Sequence, residues 1–415
     1  MIQGLRTTLN FAADERPKNW REGILLRYPN GKAPLTALTS AMKSRSVDDP
    51  EFNWWEKEIS SRRVALSANA GTGTSLSVVE KATQFKDGDV LMAEHTGELM
   101  LVAADPSSAT ALTVIRGYGT VAATDIDFDG AGVNPYLTCI GSAYEEGSLA
   151  PTGVNLDPTK RYNYTEIFRN TLEATRTAMK TRLRTGDQVR EAKRECLELH
   201  SIDMEKALWF GQRKETTRNG KPLRMMDGVF AQIDSGNVAV ATSDHASGVT
   251  FEDLENYLER AFRYGSSEKM AFCGNTAALT IQRIIRGARG VSWTFTGAQK
   301  EFGMNVSRLV TPFGEVVFKT HPLWNMMRGG TTSGTAYAGV DSWFAILDMD
   351  DLQYVYLKDS DTKYEPNLQA NGMDGVQSGY ITECSVEVHH PVNHFLIKNL
   401  TTAAVEPQET IDVTP

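Results

Sequence analysis

His389, His390 and His394 lie close together near the C-terminus and form a candidate ligand set for a metal. Pro391 rules out the regular i, i+4 helical arrangement that pairs histidines on one ion. On a strand, His390 and His394 would share a face. No cysteine or helping carboxylate stands at a set spacing from them, so packing or interface histidines are the favoured reading. Asp125, Asp127 and Asp129, followed by Gly130, imitate the opening of a calcium loop. Its twelfth position needs a bidentate Glu and here is Tyr136. The interleaved Ile126 and Phe128 suit a strand edge that is acidic on one face.

Ala70-Gly-Thr-Gly-Thr-Ser75 offers glycines, yet no Lys follows to hold a phosphate, so it reads as a loop. Glu145 and Glu146 are adjacent, and neighbours on a strand point to opposite faces, which makes them a poor acid/base pair. Neither G-x-S-x-G nor H-E-x-x-H occurs. Cys139, Cys196, Cys273 and Cys384 are far apart with no C-x-x-C pair, and read as reduced, buried thiols. No catalytic, cofactor or metal site is assigned. Weight moves toward a structural role.

The elements around these residues fall into regions of different texture. Residues 1–50 hold Pro17, Pro29, Pro34 and Pro50 among polar residues and read as an extended arm. Phe52, Trp54 and Trp55 open a strand. Residues 76–140 contain short β-rich runs (LSVVE, DVLMAE, ELMLVAA, ALTVIRGY) parted by Gly, Asp and Pro, as in a small barrel or sandwich. A strand-like run at 162–175 follows.

Thr185 with Gln188 makes a capping-box pattern. Val189, Ala192, Cys196, Leu199 and Ile202 then recur at helical spacing up to Gly211, predicting a helix over 186–211. Thr250 caps a helix with Phe251, Leu254, Leu258 and Ala261 on one face, KMAFCG reads as a buried strand, and Asn275 caps a further helix. SRLVTPFGEVVFKT is a hairpin turning at Thr311–Gly314. WFAILDMDDLQYVYL and YITECSVEVHHPVNHFLIKNL each read as one long β-run. The fold class is therefore α+β.

The net charge of −9 is unevenly spread. Residues 1–45 carry eight Lys/Arg against three Asp/Glu, whereas 64–160 carry four against twelve. A chain of basic and acidic tracts can dock on copies of itself. No apolar run reaches the roughly 18 residues of a membrane helix and no signal peptide is visible, so a protein made and used in the cytoplasm is expected.

The order of parts resembles the major capsid proteins of tailed double-stranded DNA bacteriophages, the Hong Kong ninety-seven type fold, in the branch with an inserted β-module. The likeness is carried by PLTALTSAMKS (34–44), the FNWWEKEI strand, ELMLVAADPSSATALTVIRGYGT (98–120), IGSAYEEGS (140–148) and NYTEIFRNTLEATRTA (163–178). It implies an N-terminal arm over 1–50 and an E-loop over 52–178 with the module at 76–140. It further implies a P-domain over 179–224 and 362–400 with its spine helix at 186–211, an A-domain over 225–361 and a tail over 401–415.

Hexamers and pentamers closing an icosahedral head around DNA, found in the virion, would follow. Portal and scaffolding proteins, and in some heads decoration proteins, would be partners. DNA contact would be non-specific, on the inner face, and no membrane would be involved. Arg6, Arg16, Lys18, Arg21, Trp54, Trp55, Glu145 and Glu146 are the expected subunit contacts. An encapsulin-like compartment shell, or a cytoplasmic enzyme without a recognisable motif, are the competing readings.

Overall fold

The computed structural model describes residues 42–401, except 69–70, 80, 125, 127–134, 182–186, 246, 288–295, 302–303 and 333–334. The chain divides into two compact units, one of residues 54–161 and one of the chain on either side of them.

In the flanking unit a seven-stranded mixed sheet runs in the order Val238–Val240, Phe395–Lys398, Phe344–Leu347, Glu268–Cys273, Gly314–Thr320, Met304–Thr311, Thr296–Glu301. Its central strands are apolar on both faces, as strands buried on both sides must be. Phe344, Ile346, Ala271, Cys273, Phe395 and Ile397 join one core with helices Phe251–Phe262 and Asn275–Gly287. The alternate residues Ala345, Leu347, Met270, Phe272 and Leu396 join a second core with the long helix. Two-residue periodicity divides each strand between the two cores.

The second sheet has five strands. Lys43–Val47 lies parallel to Leu352–Leu357, which pairs with Gly375–Val388, which pairs with Glu166–Thr175; Lys363–Glu365 adds to the same long strand. Residues 43–47, expected in the arm, are therefore part of the chain's own sheet. Strand Lys43–Val47 is polar and carries Lys43 and Arg45, which suits an edge.

Each of the two expected long β-runs is two strands in different sheets. Phe344–Leu347 stays in the seven-stranded sheet and Leu352–Leu357 crosses to the five-stranded one. Gly375–Val388 and Phe395–Lys398 make the reverse crossing. Turns at Met349–Asp351 and Pro391–Asn393 break the runs. In the first, Asp348 accepts from the Asp350 amide at 3.2 Å, the local bond that Asp favours over a ladder. In the second, Pro391 has no amide to give. Strand 352–357 thus shares a sheet with 375–388, and 395–398 shares the seven-stranded sheet with 344–347.

The long helix runs Gln188–Phe210 and stops at Gly211 as expected. Its N-cap is Asp187, which accepts from the Val189 amide at 2.9 Å; Thr185 lies outside the described residues. Its buried face is Cys196, His200, Met204, Glu205, Leu208 and Trp209, so Leu199 points outward and two polar residues point in. Helix Phe251–Phe262 has the expected cap, a reciprocal box in which the Asp253 amide donates to Thr250 Oγ1 at 3.1 Å and the Thr250 amide donates to Asp253 at 2.9 Å. The hairpin Met304–Thr311 and Gly314–Thr320 also turns where expected.

Residues 54–161 hold a six-stranded antiparallel sheet in the order Arg63–Ala65, Tyr136–Ser142, Asp89–Ala93, Leu99–Val102, Ala111–Ile115, Ser75–Ser77. The first and last strands meet through Leu66 and Val78, where the Ser67 amide donates to Ser77 O and the Val79 amide to Ala65 O, both at 2.9 Å. The sheet therefore closes into a small barrel, wider in sequence than the expected 76–140. Leu66, Leu76, Leu91, Met100, Leu112 and Leu137 fill it.

Strands Glu51–Glu56 and Thr159–Tyr164 pair as a ribbon through which the chain enters and leaves this region. Alternation along Glu51–Glu56 turns Phe52, Trp54 and Glu56 inward. Of the two tryptophans expected at subunit contacts, Trp54 is only 8% exposed and Trp55 is 65% exposed.

Candidate assembly surfaces

Three buried polar nodes fix the elements from which the exposed surfaces project. The first lies under the end of the long helix. Glu205 accepts from Trp209 Nε1 at 3.1 Å and lies 2.9 Å from His321 Nε2. Trp209 meets Trp324 edge-on with ring centroids 4.9 Å apart, and His321 stacks on Trp324 at 5.3 Å. A buried carboxylate needs such partners, because burial unpaired costs several kcal/mol.

The second node sits where both β-runs change sheets. Lys269 is buried, and its ammonium donates to Ala261 O and Tyr264 O at 2.7 Å and to Asn393 O at 2.6 Å. Ala261 O is in the last turn of helix Phe251–Phe262 and Tyr264 O just past its end, the end that favours a cation. Burial pushes Lys269 down to about 8, against the opposing pull of Asp348 and Asp351. All three ammonium protons are used, so the lysine acts as a tie and offers no nucleophile. His394 is fully buried beside it; burial pushes its ring down to about 4, and Nδ1 accepts from the Asp348 amide at 3.2 Å.

The third node holds one end of the barrel. Arg116 forks onto Glu98 with two bonds of 2.8 Å and also donates to Gly71 O and Gly73 O at 2.9 and 3.2 Å. Burial opposes ionisation of Glu98, yet the Arg116 fork and the amides of Gly117 and Thr124 outweigh it and hold the carboxyl below its ordinary range. The Gly-Thr loop is thus a set of carbonyls for Arg116.

The sequence candidates for chemistry are not brought together. His389 pairs with Glu387 at 2.6 Å, and His390 takes a left-handed backbone at the start of the turn 391–393, so His390 and His394 share no strand face. Asp125, Asp127 and Asp129 lie outside the described residues; Ile126 is buried in the barrel. Among the described residues, no cluster of three or more His, Cys, Asp or Glu can hold a metal ion. The four thiols are unpaired, and burial pushes Cys273 and Cys384 up to about 12. No described helix is long and apolar enough to cross a membrane.

What the described chain does expose is a set of large apolar side chains. Trp55 stands on the ribbon and Ile59 just after its first strand, Leu197 and Leu199 line the outer face of the long helix, and Leu149, 92% exposed, lies in a stretch without regular structure. Glu145 and Glu146 are exposed in that stretch, in a turn closed by Ser148 N donating to Glu145 O at 3.2 Å, not on a strand. Arg6, Arg16, Lys18 and Arg21 lie outside the described residues.

Sequence reading passed over a further feature, the hairpin of Lys214–Arg218 and Lys221–Met225. Its turn residues Asn219 and Gly220 have φ of 52° and 71°, the two positive values a type I′ turn requires. The Asn-Gly dipeptide was its available signal. Gly211 and Gly228 let the hairpin return tightly against the helix end: Gly228 N donates to Gly211 O at 3.0 Å, and a Cβ on Gly211 would meet Met226 O at 2.6 Å.

A family model described as SU10 major capsid protein matches residues 3–401. A curated major capsid protein of Pseudomonas phage PaMx41 is 28% identical over 376 residues, covering 88% of this chain and 84% of its own. Among solved structures, the capsid of Myoviridae phage XM1 aligns at 9% identity and a TM-score of 0.47, over 96% of this chain and 100% of that one. A structure of Microbacterium phage Oxtober96 aligns at 11% identity and 0.43, over 92% and 96%. The holo-SrpI encapsulin complex from Synechococcus elongatus aligns at 13% and 0.41, over 61% and 79%.

Proposed function

We propose, from the premise that this chain belongs to the SU10 major capsid protein family and is a phage major capsid protein, that its copies join as hexamers and pentamers and close an icosahedral head around double-stranded DNA. The family match over 399 consecutive residues (3–401) carries this reading. Its role is structural, and we assign it no reaction. The described surface supports it: large apolar side chains stand on the ribbon, on the helix face and in the 143–158 stretch, where a neighbour would cover them. A subunit with several neighbours must bury well over the roughly 1,600 Å² of a standard pair, and projecting segments supply that area without a larger core. Contacts that differ on the two partners close into rings, and rings into shells.

In this reading the fold is of the Hong Kong ninety-seven type. Residues ahead of 42 form the arm, with Arg6, Arg16, Lys18 and Arg21 meeting a neighbour. Residues 52–164 form the E-loop with the barrel as its insertion. The long helix with the five-stranded sheet forms the P-domain, and the seven-stranded sheet with its two helices the A-domain. Trp55, Glu145 and Glu146 are contacts between copies. Portal, scaffolding and decoration proteins are the further partners, and packaged DNA is met non-specifically.

Expression of the chain, with its scaffolding protein where one is required, followed by sedimentation and negative-stain microscopy, tests the reading. Closed shells or capsomers are expected. A monomer at every concentration, with and without scaffold, would overturn it.

A further inference from the structure

The hairpin Lys214–Arg218/Lys221–Met225 is exposed along both strands. Two strands alone are marginal in water, so a hairpin this uncovered gains from being covered. Its register sorts the side chains. Lys214 faces Met225, Thr216 faces Leu223 and Arg218 faces Lys221. These six residues share one face. That face carries three cations and no carboxylate, framing Leu223 and Met225, which are 42% and 41% exposed. The hairpin's single acid, Glu215, is on the other face and is held by Arg224 at 2.9 Å.

Of the hairpin's two edges, that of Lys221–Met225 is closed to strand addition at Pro222, whereas that of Lys214–Arg218 has no proline. Arg218 and Lys221 flank the two-residue turn and form its hydrogen-bonded pair, so the next pair, Thr217 and Pro222, is the kind whose amides point outward. The side-chain face is the surface whose cations and exposed Leu223 and Met225 give docking a chemistry. Leu223 and Met225 would gain nothing from nucleic-acid phosphates, which want cations alone. A protein surface with carboxylates around apolar side chains fits both.

The chain supplies that complement. No Lys or Arg occurs between Arg116 and Lys160. Within that span, residues 143–157 are free of regular ladder structure and expose Glu145, Glu146, Leu149 and Asp157.

We infer that the Lys214, Arg218 and Lys221 face of the hairpin in one copy docks on residues 145–157 of a neighbouring copy, its cations on Glu145, Glu146 and Asp157 and its Leu223 and Met225 against Leu149. The inference rests on the shell reading and names one of its contacts.

The test uses full-length chain assembled as shells. Zero-length carbodiimide coupling of wild-type shells built from isotopically mixed copies should give Lys214 or Lys221 joined to Glu145 or Glu146 in mixed-label peptides. The K214E/R218E/K221E variant should lose shells, as should E145K/E146K, and the combined chain should regain a large part of them. Circular dichroism of each variant checks its fold. Wild-type shells that yield no such peptide would overturn the inference, as would reversal variants that assemble at wild-type yield. Normal shells that lose only their DNA would also overturn it, in favour of a DNA-facing hairpin. Absence of wild-type shells would instead strike at the shell reading itself.

Discussion

Glu205 and His321 face each other inside the core, Oε1 and Nε2 2.9 Å apart, with both side chains almost wholly out of water. One comes from the last turns of the long helix, the other from just past the strand Gly314–Thr320. The pair ties the helix to the seven-stranded sheet through side chains that a hydrophobic pattern would place outside. Removing one partner strands the other.

Glu205→Ala is accordingly expected to destabilise the subunit by about 3–5 kcal/mol, and His321→Ala by a comparable amount. Calorimetry or denaturant melting of dissociated subunits measures this. A loss under about 1 kcal/mol for both variants would mean that the pair contributes little beyond packing.

Acid sensitivity follows from His394. Its folded value is about 4 against an ordinary 6.5, chiefly because it is buried. The unfolded chain therefore binds the proton first as pH falls. Stability from this group is complete above 6.5 and is lost progressively between 6.5 and 4, by up to about 3 kcal/mol at about 1.4 kcal/mol per pH unit. Lys269 and His390 oppose the extra charge, whereas Asp348 and the His389 carbonyl favour it. Denaturation midpoints taken across this window should fall with pH in the wild type, and the slope should shrink in His394→Asn. Equal slopes would assign the acid effect elsewhere.

The adjacent tryptophans should separate folding from assembly. Trp54→Ala removes a buried ring whose Nε1 donates to Glu56 at 2.9 Å, and should cost about 3–5 kcal/mol of stability. Trp55→Ala should leave the melting temperature within a degree or two, since exposed substitutions usually stay within about 0.5 kcal/mol. It should nevertheless lower the yield of shells. Equal melting temperatures for the two variants would contradict the inward and outward division.

Features built from neighbours in the chain were legible in the sequence. The Thr250 cap, the stop at Gly211 and the turn at Thr311–Gly314 all depend on residues a few positions apart. The β-module was visible because its strands are short and regularly spaced. The sheet crossings were hidden: Phe344–Leu347 and Leu352–Leu357 have equal strand character, and which sheet each joins depends on partners far along the chain. The buried face of the long helix was misplaced because His200 and Glu205 count as polar, though each is satisfied by a distant residue, Thr382 for the first and His321 for the second. Glu145 and Glu146 lie in a turn and not on the strand expected for them. The cationic face of the Lys214–Met225 hairpin needed the cross-strand register, which no local count supplies.

The closed barrel has a consequence for the order of events on the ribosome. Every strand of it has been made by Ser142, before the long helix, most of the five-stranded sheet or any strand of the seven-stranded sheet exists. Its ladder contacts lie within residues 63–142, so it can mature while the rest of the subunit awaits synthesis. Both sheets of the flanking unit must wait: Lys43–Val47 pairs with a strand more than three hundred residues downstream, and the seven-stranded sheet lacks a strand until Phe395–Lys398 is made. A nascent subunit can therefore finish its barrel while both sheets of the flanking unit still lack strands.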